Sequence, residues 1–470
     1  MDIKEYIDSH KQEMIQDLQD WVNIPSLMDM DDAGEGHPFG RPVNDALDWI
    51  LKKAEDFGFR TRNVNGYAGE IDAGSGDRII GIMGHGDVVA PGDGWDRPPF
   101  ESSCDGERIW GRGSSDDKGP VLSSLYAMDY LSSNGLIPQD VTLRLIVGMD
   151  EEESWRCIEY YKAHTDRLPD QTIVPDGYFP LIYCEKGLVD FDMDFPAVRS
   201  PAPLRVLSLT GGTGRNIVAG KASCELEAAD GSAAEIAAAA VKETALPDGF
   251  QISCQTAGNR ITISVQGHST HASTPEKGLN AISALICLLN SLPADTDLSG
   301  FTSAYSKYIG MDYDGKHLGL KCEDRLSGSL TFNIGTIELA GDVIRIRANT
   351  RYPATLDKEE FLKKLDNCLA NAGFQFSLYE YLPPVYIDPE SDFVHKLMNV
   401  YVQDTGDKEH EPFAIGGATY ARGLPNAVCF GALFPWEEET AHEANECLFL
   451  DSYWKMTEIY AHGLQALMEG

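Results

Sequence analysis

The stretch MGHGDVV, residues 83–89, ends an apolar run on His85 and Asp87. An imidazole and a carboxylate two residues apart can act as a metal ligand and the group that orients it. Other polar side chains recur at the same place relative to apolar runs. Asp116 and Asp117 fall in GRGSSDDKG, just ahead of a helical pattern. Asp150, Glu151, Glu152 and Glu153 follow VTLRLIVG, Asp176 follows QTIVP, and His442 lies in TAHEANE after AVCFGALF. Singly, each has an ordinary explanation: a strand-end hydrogen bond, a helix N-cap or a solvated acidic run. Together they place histidines and carboxylates at the ends of successive strands, where open parallel sheets bind ligands. Charges gathered there repel one another, and a bound cation removes that cost. The mixture of imidazole and carboxylate suits zinc, manganese or cobalt rather than a thiolate site. Two histidines with three carboxylates exceed the needs of one tetrahedral ion. They suit two ions bridged by a carboxylate and a water, about 3.5–4 Å apart.

The elements that must position these groups follow from periodicity. RIIGIMGH (78–85), VTLRLIVG (141–148) and QTIVPDG (171–177) read as buried strands. DKGPVLSSLYAMDYLSS (117–133) and SWRCIEYYKAH (154–164) read as the helices between them. This alternation predicts an α/β fold, a mostly parallel sheet with helices on both faces. After about residue 186 the texture changes to shorter strands and helices, including an alanine-rich helix over 233–246. That pattern predicts a large α+β insertion with a ferredoxin-like layer. DFVHKLMNVYVQDTG and AVCFGALF then restore a helix and a buried strand. The expected organisation is a catalytic domain over 1–185 and 383–470, interrupted by an inserted domain over 186–382.

Bulk properties set limits on partners. The chain has 470 residues, too many for one core. It carries 38 basic against 74 acidic residues, a net charge of -36, which disfavours nucleic acid and anionic membrane surfaces as partners. The ten cysteines are scattered with no C-x-x-C, as in reduced thiols of a cytoplasmic protein. The amino-terminal stretch reads as a charged amphipathic helix without a signal-peptide core, and no run is long and apolar enough to span a membrane.

The joint pattern H-x-D-V-V, G-R-G-S-x-D-D-K-G, an acidic run after a strand, P-D-G and a late A-H-E resembles the co-catalytic metallopeptidases of the aminoacylase and carboxypeptidase G superfamily. GDGWDRPPF, WGRGSSDDKGP, EEESWRCIEYY and FAIGGATYAR are similar to the dipeptidase V group within it. The resemblance covers most of the chain. It implies two divalent ions, zinc with manganese or cobalt as substitutes. His85 and His442 would each bind one ion, Asp116 would bridge both, and Glu152 and Asp176 would complete one ion each. It implies a cis bond between Asp116 and Asp117, Asp87 as the group that orients His85, and Glu151 as general base. The run DEEE permits a second register, with Glu152 as base and Glu153 as ligand; counting back from Trp155 selects the first. Gly86 stands where relatives carry a bulkier residue.

In the insertion, GHSTHASTPEKGLNAI resembles a stretch whose histidine polarises the scissile carbonyl, which maps to His271. Asn216 in GRNIV and Arg351 in NTRYP match residues that touch the substrate backbone and its free carboxylate. Gly416 and Gly417 would let backbone approach the substrate, with Arg422 supporting their loop. The implied activity is hydrolysis of short unblocked peptides by a cytoplasmic monomer whose insertion acts as a lid. An amidohydrolase acting on N-acyl amino acids is the alternative, and a non-catalytic peptide or metal sensor a more distant one.

Overall fold

The apolar runs of the first part form the centre of a mixed sheet. Arg78–His85 lies parallel between Val141–Gly148 and Gln171–Val174, and Ala427–Cys429 runs parallel beyond the latter. Every residue of Val141–Gly148 is buried, the mark of a strand covered on both faces. Two antiparallel strands unforeseen in the sequence extend the sheet beyond Val141–Gly148: Ala68–Gly74 pairs with it, and Arg60–Val64 pairs with Ala68–Gly74 at the edge. Their alternation is masked by charge. Arg144 meets Asp72 directly across the ladder with paired bonds of 2.8 and 2.9 Å, so a buried arginine interrupts an otherwise apolar strand. The mixed α/β class agrees with the expectation from the sequence.

The computed structural model describes residues 1–244 and 246–469. Two compact units emerge: Met1–Tyr183 with Tyr386–Phe413 and Ala418–Gly470, and Cys184–Val385 with Ala414–Gly417. Residues 414–417 group with the second unit, not the first as read from the sequence. The reason is local: Lys186 N donates to Ile415 O at 3.1 Å, and Arg351 Nη1 to Gly416 O at 2.8 Å.

In the first unit the helix Ile3–Val22 begins with a capping box between Asp2 and Glu5. It buries Trp21, which stacks on Trp49 at 5.7 Å and donates through Nε1 to Ala46 O. Lys118–Ser133 packs against Leu450–Met468, a long C-terminal helix. Strand register brings the site together. His85 pairs with Gly148, and Ile82 with Ile173, so His85, the 149–153 run and Asp176 leave the sheet at one level. The expected strand over AVCFGALF stops at Cys429. Gly431 turns the chain at φ +92, where a Cβ would meet the Tyr460 hydroxyl and the Phe179 ring at 2.6 Å.

The second unit is built on eight antiparallel strands among the described residues. Their order is Gln251–Ala257, Arg260–Gln266, Lys221–Ala228, Leu204–Gly211, Thr331–Ala340, Val343–Tyr352, Gly187–Pro196 and Gln375–Leu382. Helices Gly231–Glu243, Ala281–Ser291, Ser299–Tyr308 and Lys358–Asn371 accompany them. The alanine-rich helix starts at the Asp230 cap, earlier than expected; Ala245, within the predicted span, lies outside the described residues. Among the described residues, no helix is long and apolar enough to cross a membrane.

Leu285 is fully buried in the second unit's core. Leu285→Ala is expected to lower stability by about 2–5 kcal/mol, read as an earlier midpoint in urea. A loss below about 1 kcal/mol would show that this helix does not pack as described.

Candidate metal centre

His85 ends its strand fully buried. Its Nδ1–H donates to the backbone carbonyl of Asp87 at 3.0 Å, and the Asp87 carboxylate lies 3.6 Å away. That bond fixes the tautomer and leaves Nε2 as the nitrogen able to ligate. Nε2 faces Asp116 Oδ1 at 2.9 Å. The Asp87 carboxylate is spent elsewhere. It accepts the backbone N–H of Glu151 at 3.2 Å and of Glu152 at 3.1 Å, fastening the acidic run beneath His85. Gly86 fits because Met149 and Trp21 already fill the space a Cβ would need, at 3.1 and 3.2 Å.

Asp116 divides its two oxygens. Oδ1 faces His85, and Oδ2 lies 3.1 Å from His442 Nε2. Asp117, joined to it by a cis peptide, stands at the N-cap position of Lys118–Ser133 but caps nothing. Its Oδ2 instead accepts the backbone N–H of His85 at 3.1 Å, and Gly84 leaves the room this needs: a Cβ there would come within 2.2 Å. Its other oxygen is buried with no hydrogen-bond partner. His442 reaches the site from a left-handed backbone conformation, φ 63, with Nε2 also 3.0 Å from Glu152 Oε2.

Two ligand-like groups result: His85, Asp116 and Asp176, and Asp116, Glu152 and His442. In each, the candidate ligand atoms lie within 4.8 Å of one another, and Asp116 is common to both. A nitrogen with two carboxylate oxygens in each group fits zinc, manganese or cobalt. Glu153 is exposed and belongs to neither group, so the geometry brings Glu152 to His442. Glu151 stands beside the groups without joining them.

Electrostatics register the crowding. Burial and the charge of Asp116 push the Asp176 carboxyl up to about 7. Burial and the charge of Asp176 raise the Glu151 carboxyl well above its usual range, and burial with Asp116 raises Glu152. Hydrogen bonds that His442 donates to the Asp116 and Glu152 carboxylates lift it to about 11. Despite its burial, Asp116 is held below the usual carboxylate range by the two imidazoles. The site has more negative charge than its side chains can neutralise, the condition a cation relieves.

The second unit gathers its own set. His271 Nδ1 lies 2.6 Å from Ser273 Oγ, and Ala272 N donates to Asn216 O at 2.8 Å. Arg351 is buried, and besides Gly416 O it reaches Asn349 Oδ1 through Nε at 3.0 Å. Gly416 lies against Ser273, where a Cβ would meet Ser273 Cβ at 3.1 Å. Asn216, His271, Arg351 and Gly416 are thus linked within this unit. Gly417 follows in the same loop, and Arg422 lies outside it in a short 3-10 turn of the first unit.

Sequence reasoning missed several supports. Asp150, fully buried, closes the acidic run by accepting from Ser154 Oγ at 2.8 Å and Arg156 N at 2.9 Å. Lys118 is buried with Nζ donating to the carbonyls of Trp21 and Ile24, and burial pulls its amine down to about 7. Tyr420 packs edge-on to the His85 ring. An aspartate heading an acidic run carries no sign of turning inward, so spacing alone could not single out Asp150.

A family model described as Peptidase family M20/M25/M40 matches residues 81–466. The chain belongs to this family. It is a metallopeptidase enzyme, and the resemblance read from its motifs holds at that level. It is 34% identical over 460 residues, 97% of each chain, to a Bacillus subtilis protein named "Putative dipeptidase YtjP". It is 32% identical over 481 residues, 99% of this chain and 98% of the other, to "Putative dipeptidase SSP1012" of Staphylococcus saprophyticus. Among solved structures, human carnosine dipeptidase 1 shares the fold with a TM-score of 0.59 at 16% identity, covering 100% of this chain and 98% of that one.

Metal ligation requires a neutral imidazole, whereas His442 at about 11 is protonated at neutral pH in the metal-free protein. Metal binding is therefore expected to release at least one proton at pH 7, with a further fraction from Asp176, whose carboxyl sits at about 7. Affinity should rise roughly tenfold per pH unit for each proton released. Calorimetric titration in buffers of different ionisation enthalpy counts the protons; a count of zero would contradict the assignment of His442.

Proposed function

We propose that this metallopeptidase is a dipeptidase that hydrolyses short unblocked peptides using two divalent ions, zinc by preference and manganese or cobalt as substitutes. The observation that carries the reading is the division of Asp116 between two imidazoles, with Glu151 beside both ligand groups. The relatives named as dipeptidases, which match along nearly the whole chain, support the substrate class. In this reading His85, Asp116 and Asp176 hold one ion, and Asp116, Glu152 and His442 the other. Bound there, the ions would supply positive charge to polarise the scissile carbonyl and acidify the attacking water.

The remaining work falls to the chain's own groups. Glu151 takes the proton from the attacking water and returns it to the leaving amine. Its raised affinity for a proton, caused by burial and the charges of Asp176 and Glu152, suits a base of this kind. Asp87 holds the Glu151 backbone, so the base cannot drift from the water it must meet. Asn216 and His271 are assigned to the substrate backbone and carbonyl, Arg351 to a free carboxylate, and Gly416 and Gly417 to close backbone approach. A guanidinium fork suits a carboxylate. We assign the working form as a cytoplasmic monomer, supported by the length of the second unit and by scattered cysteines.

Glu151→Gln is expected to keep both ions while kcat on a dipeptide panel falls about 10²–10⁴-fold. Glu152→Ala should lose metal as well as turnover. Near-full hydrolysis by Glu151→Gln would remove Glu151 from the role of base. Hydrolysis of free dipeptides but not N-acyl amino acids is the expected specificity. The opposite preference would make the enzyme an amidohydrolase of blocked amino acids, and no turnover of either panel with metal bound would leave a sensor.

A further inference from the structure

Glu446 lies four residues beyond His442 and is fully buried. Its carboxylate accepts five hydrogen bonds from the loop that carries Asp116. Oε2 takes Arg112 Nη1 at 2.7 Å and the Gly113 N–H at 3.0 Å. Oε1 takes the Ser115 N–H and hydroxyl, each at 2.9 Å, and the Asp116 N–H at 3.2 Å. Its own backbone carbonyl accepts the Gly111 N–H at 3.0 Å. Immediately after it, Cys447–Phe449 pairs antiparallel with Arg108–Trp110, so the two loops leave a common ladder. Arg112 is itself buried, 5.3 Å from the Trp95 ring. Among the described residues, no other side chain of the His442 loop hydrogen-bonds the Asp116 backbone.

We infer that Glu446 is a positioning residue that locks the Asp116 loop to the His442 loop and thereby sets the affinity of the ion shared by Asp116, Glu152 and His442. Two of that ion's three candidate ligands sit on the loops Glu446 joins. Only one of the three in the His85, Asp116 and Asp176 group does. Loss of the lock must therefore weaken the two ions unequally. Glutamine cannot replace it. An amide presents N–H donors on one side, and all five partners are donors. It also leaves the Arg112 guanidinium buried without its counter-charge. The inference rests on the reading of Asp116 as a shared ligand, and the test separates the two.

Metal-free wild type, Glu446→Gln and Ser115→Ala are each titrated with zinc at pH 7 against a chromophoric chelator, and the melting temperature of each metal-free form is recorded. Two ions bound by the wild type upholds the shared-ligand reading; fewer than two defeats that reading whatever Glu446 does. Given two, Glu446→Gln is expected to keep one tight ion and bind the second about 10–100-fold more weakly, the effect of losing a group behind a ligand. Turnover should recover as zinc is raised, which a collapsed fold would not allow. Ser115→Ala removes one of the five donors and leaves the core intact. It should weaken the second ion severalfold with no change in metal-free melting, and it carries the test if Glu446→Gln does not fold. Wild-type affinities in these variants, or equal weakening of both ions in step with a lower metal-free melting temperature, would overturn the role of Glu446.

Discussion

Mutual repulsion among Asp116, Glu151, Glu152 and Asp176 is the constraint that shapes the first unit. Register brings Glu151, Glu152 and Asp176 to one level of the sheet, the loop ahead of Lys118–Ser133 adds Asp116, and burial removes the water that would screen them. At an effective dielectric of about 20, two unit charges 4 Å apart interact by about 4 kcal/mol. Several such pairs rival the whole stability of a domain, which is about 5–15 kcal/mol. The chain tolerates the arrangement because two imidazoles share Asp116 and because the carboxyls hold protons more firmly than they would in water. In the proposed reading, divalent ions would take over the same task at the place where the chain's own charges are least compensated.

The scaffold holds the groups in place chiefly through backbone. Asp87 grips the N–H groups of Glu151 and Glu152, Asp117 grips that of His85, and Asp150 closes the acidic run upon itself. Two non-glycine residues in left-handed conformations, His442 at φ 63 and Trp155 at φ 57, bracket the site. Such conformations cost about 1–3 kcal/mol and persist where surrounding contacts over-determine them. Trp155 has those contacts: its N–H reaches Asp150 O at 2.9 Å, and its ring meets Tyr420 at 5.6 Å.

Legibility followed periodicity. Arg78–His85 and Val141–Gly148 match their predicted spans because an uninterrupted apolar run has little else to become. Lys118–Ser133 begins one residue later than read, since Asp117 turns inward to His85 instead of entering the helix. Arg60–Val64 escaped notice because most of its side chains face water or pair with charges, leaving no apolar alternation. Candidate ligands stand out in the sequence only as a set, since a single polar residue at a strand end has ordinary roles and it is the recurrence that points to a cation. Their supports do not stand out. Glu446 is one of two acids in TAHEANE, and nothing in its neighbours says that a loop some 330 residues earlier supplies the donors. Gly416 shows the same limit: the stretches on either side of residues 414–417 belong to the first unit, but Arg351 and Ser273 claim Gly416 for the second.

It is notable that a site overloaded with negative charge is organised by further carboxylates. Asp87, Asp117, Asp150 and Glu446 all bind backbone N–H groups, and all are buried. The chemistry of the acceptor explains the choice. A carboxylate offers about four lone-pair directions and no donor, so it can collect several N–H groups from a tight loop at once. An amide in the same place would turn its own N–H groups against some of them. The added charge is countered only in part: Arg112 pairs with Glu446, and Lys118 lies buried nearby with its amine on the carbonyls of Trp21 and Ile24. Multiple charge-assisted bonds hold the loops more firmly than neutral ones, at the expense of a larger negative field at the ligands. If these loops carry the ligands, as proposed, that field is an advantage, because the groups that hold the candidate ligand loops rigid also raise the local concentration of cations.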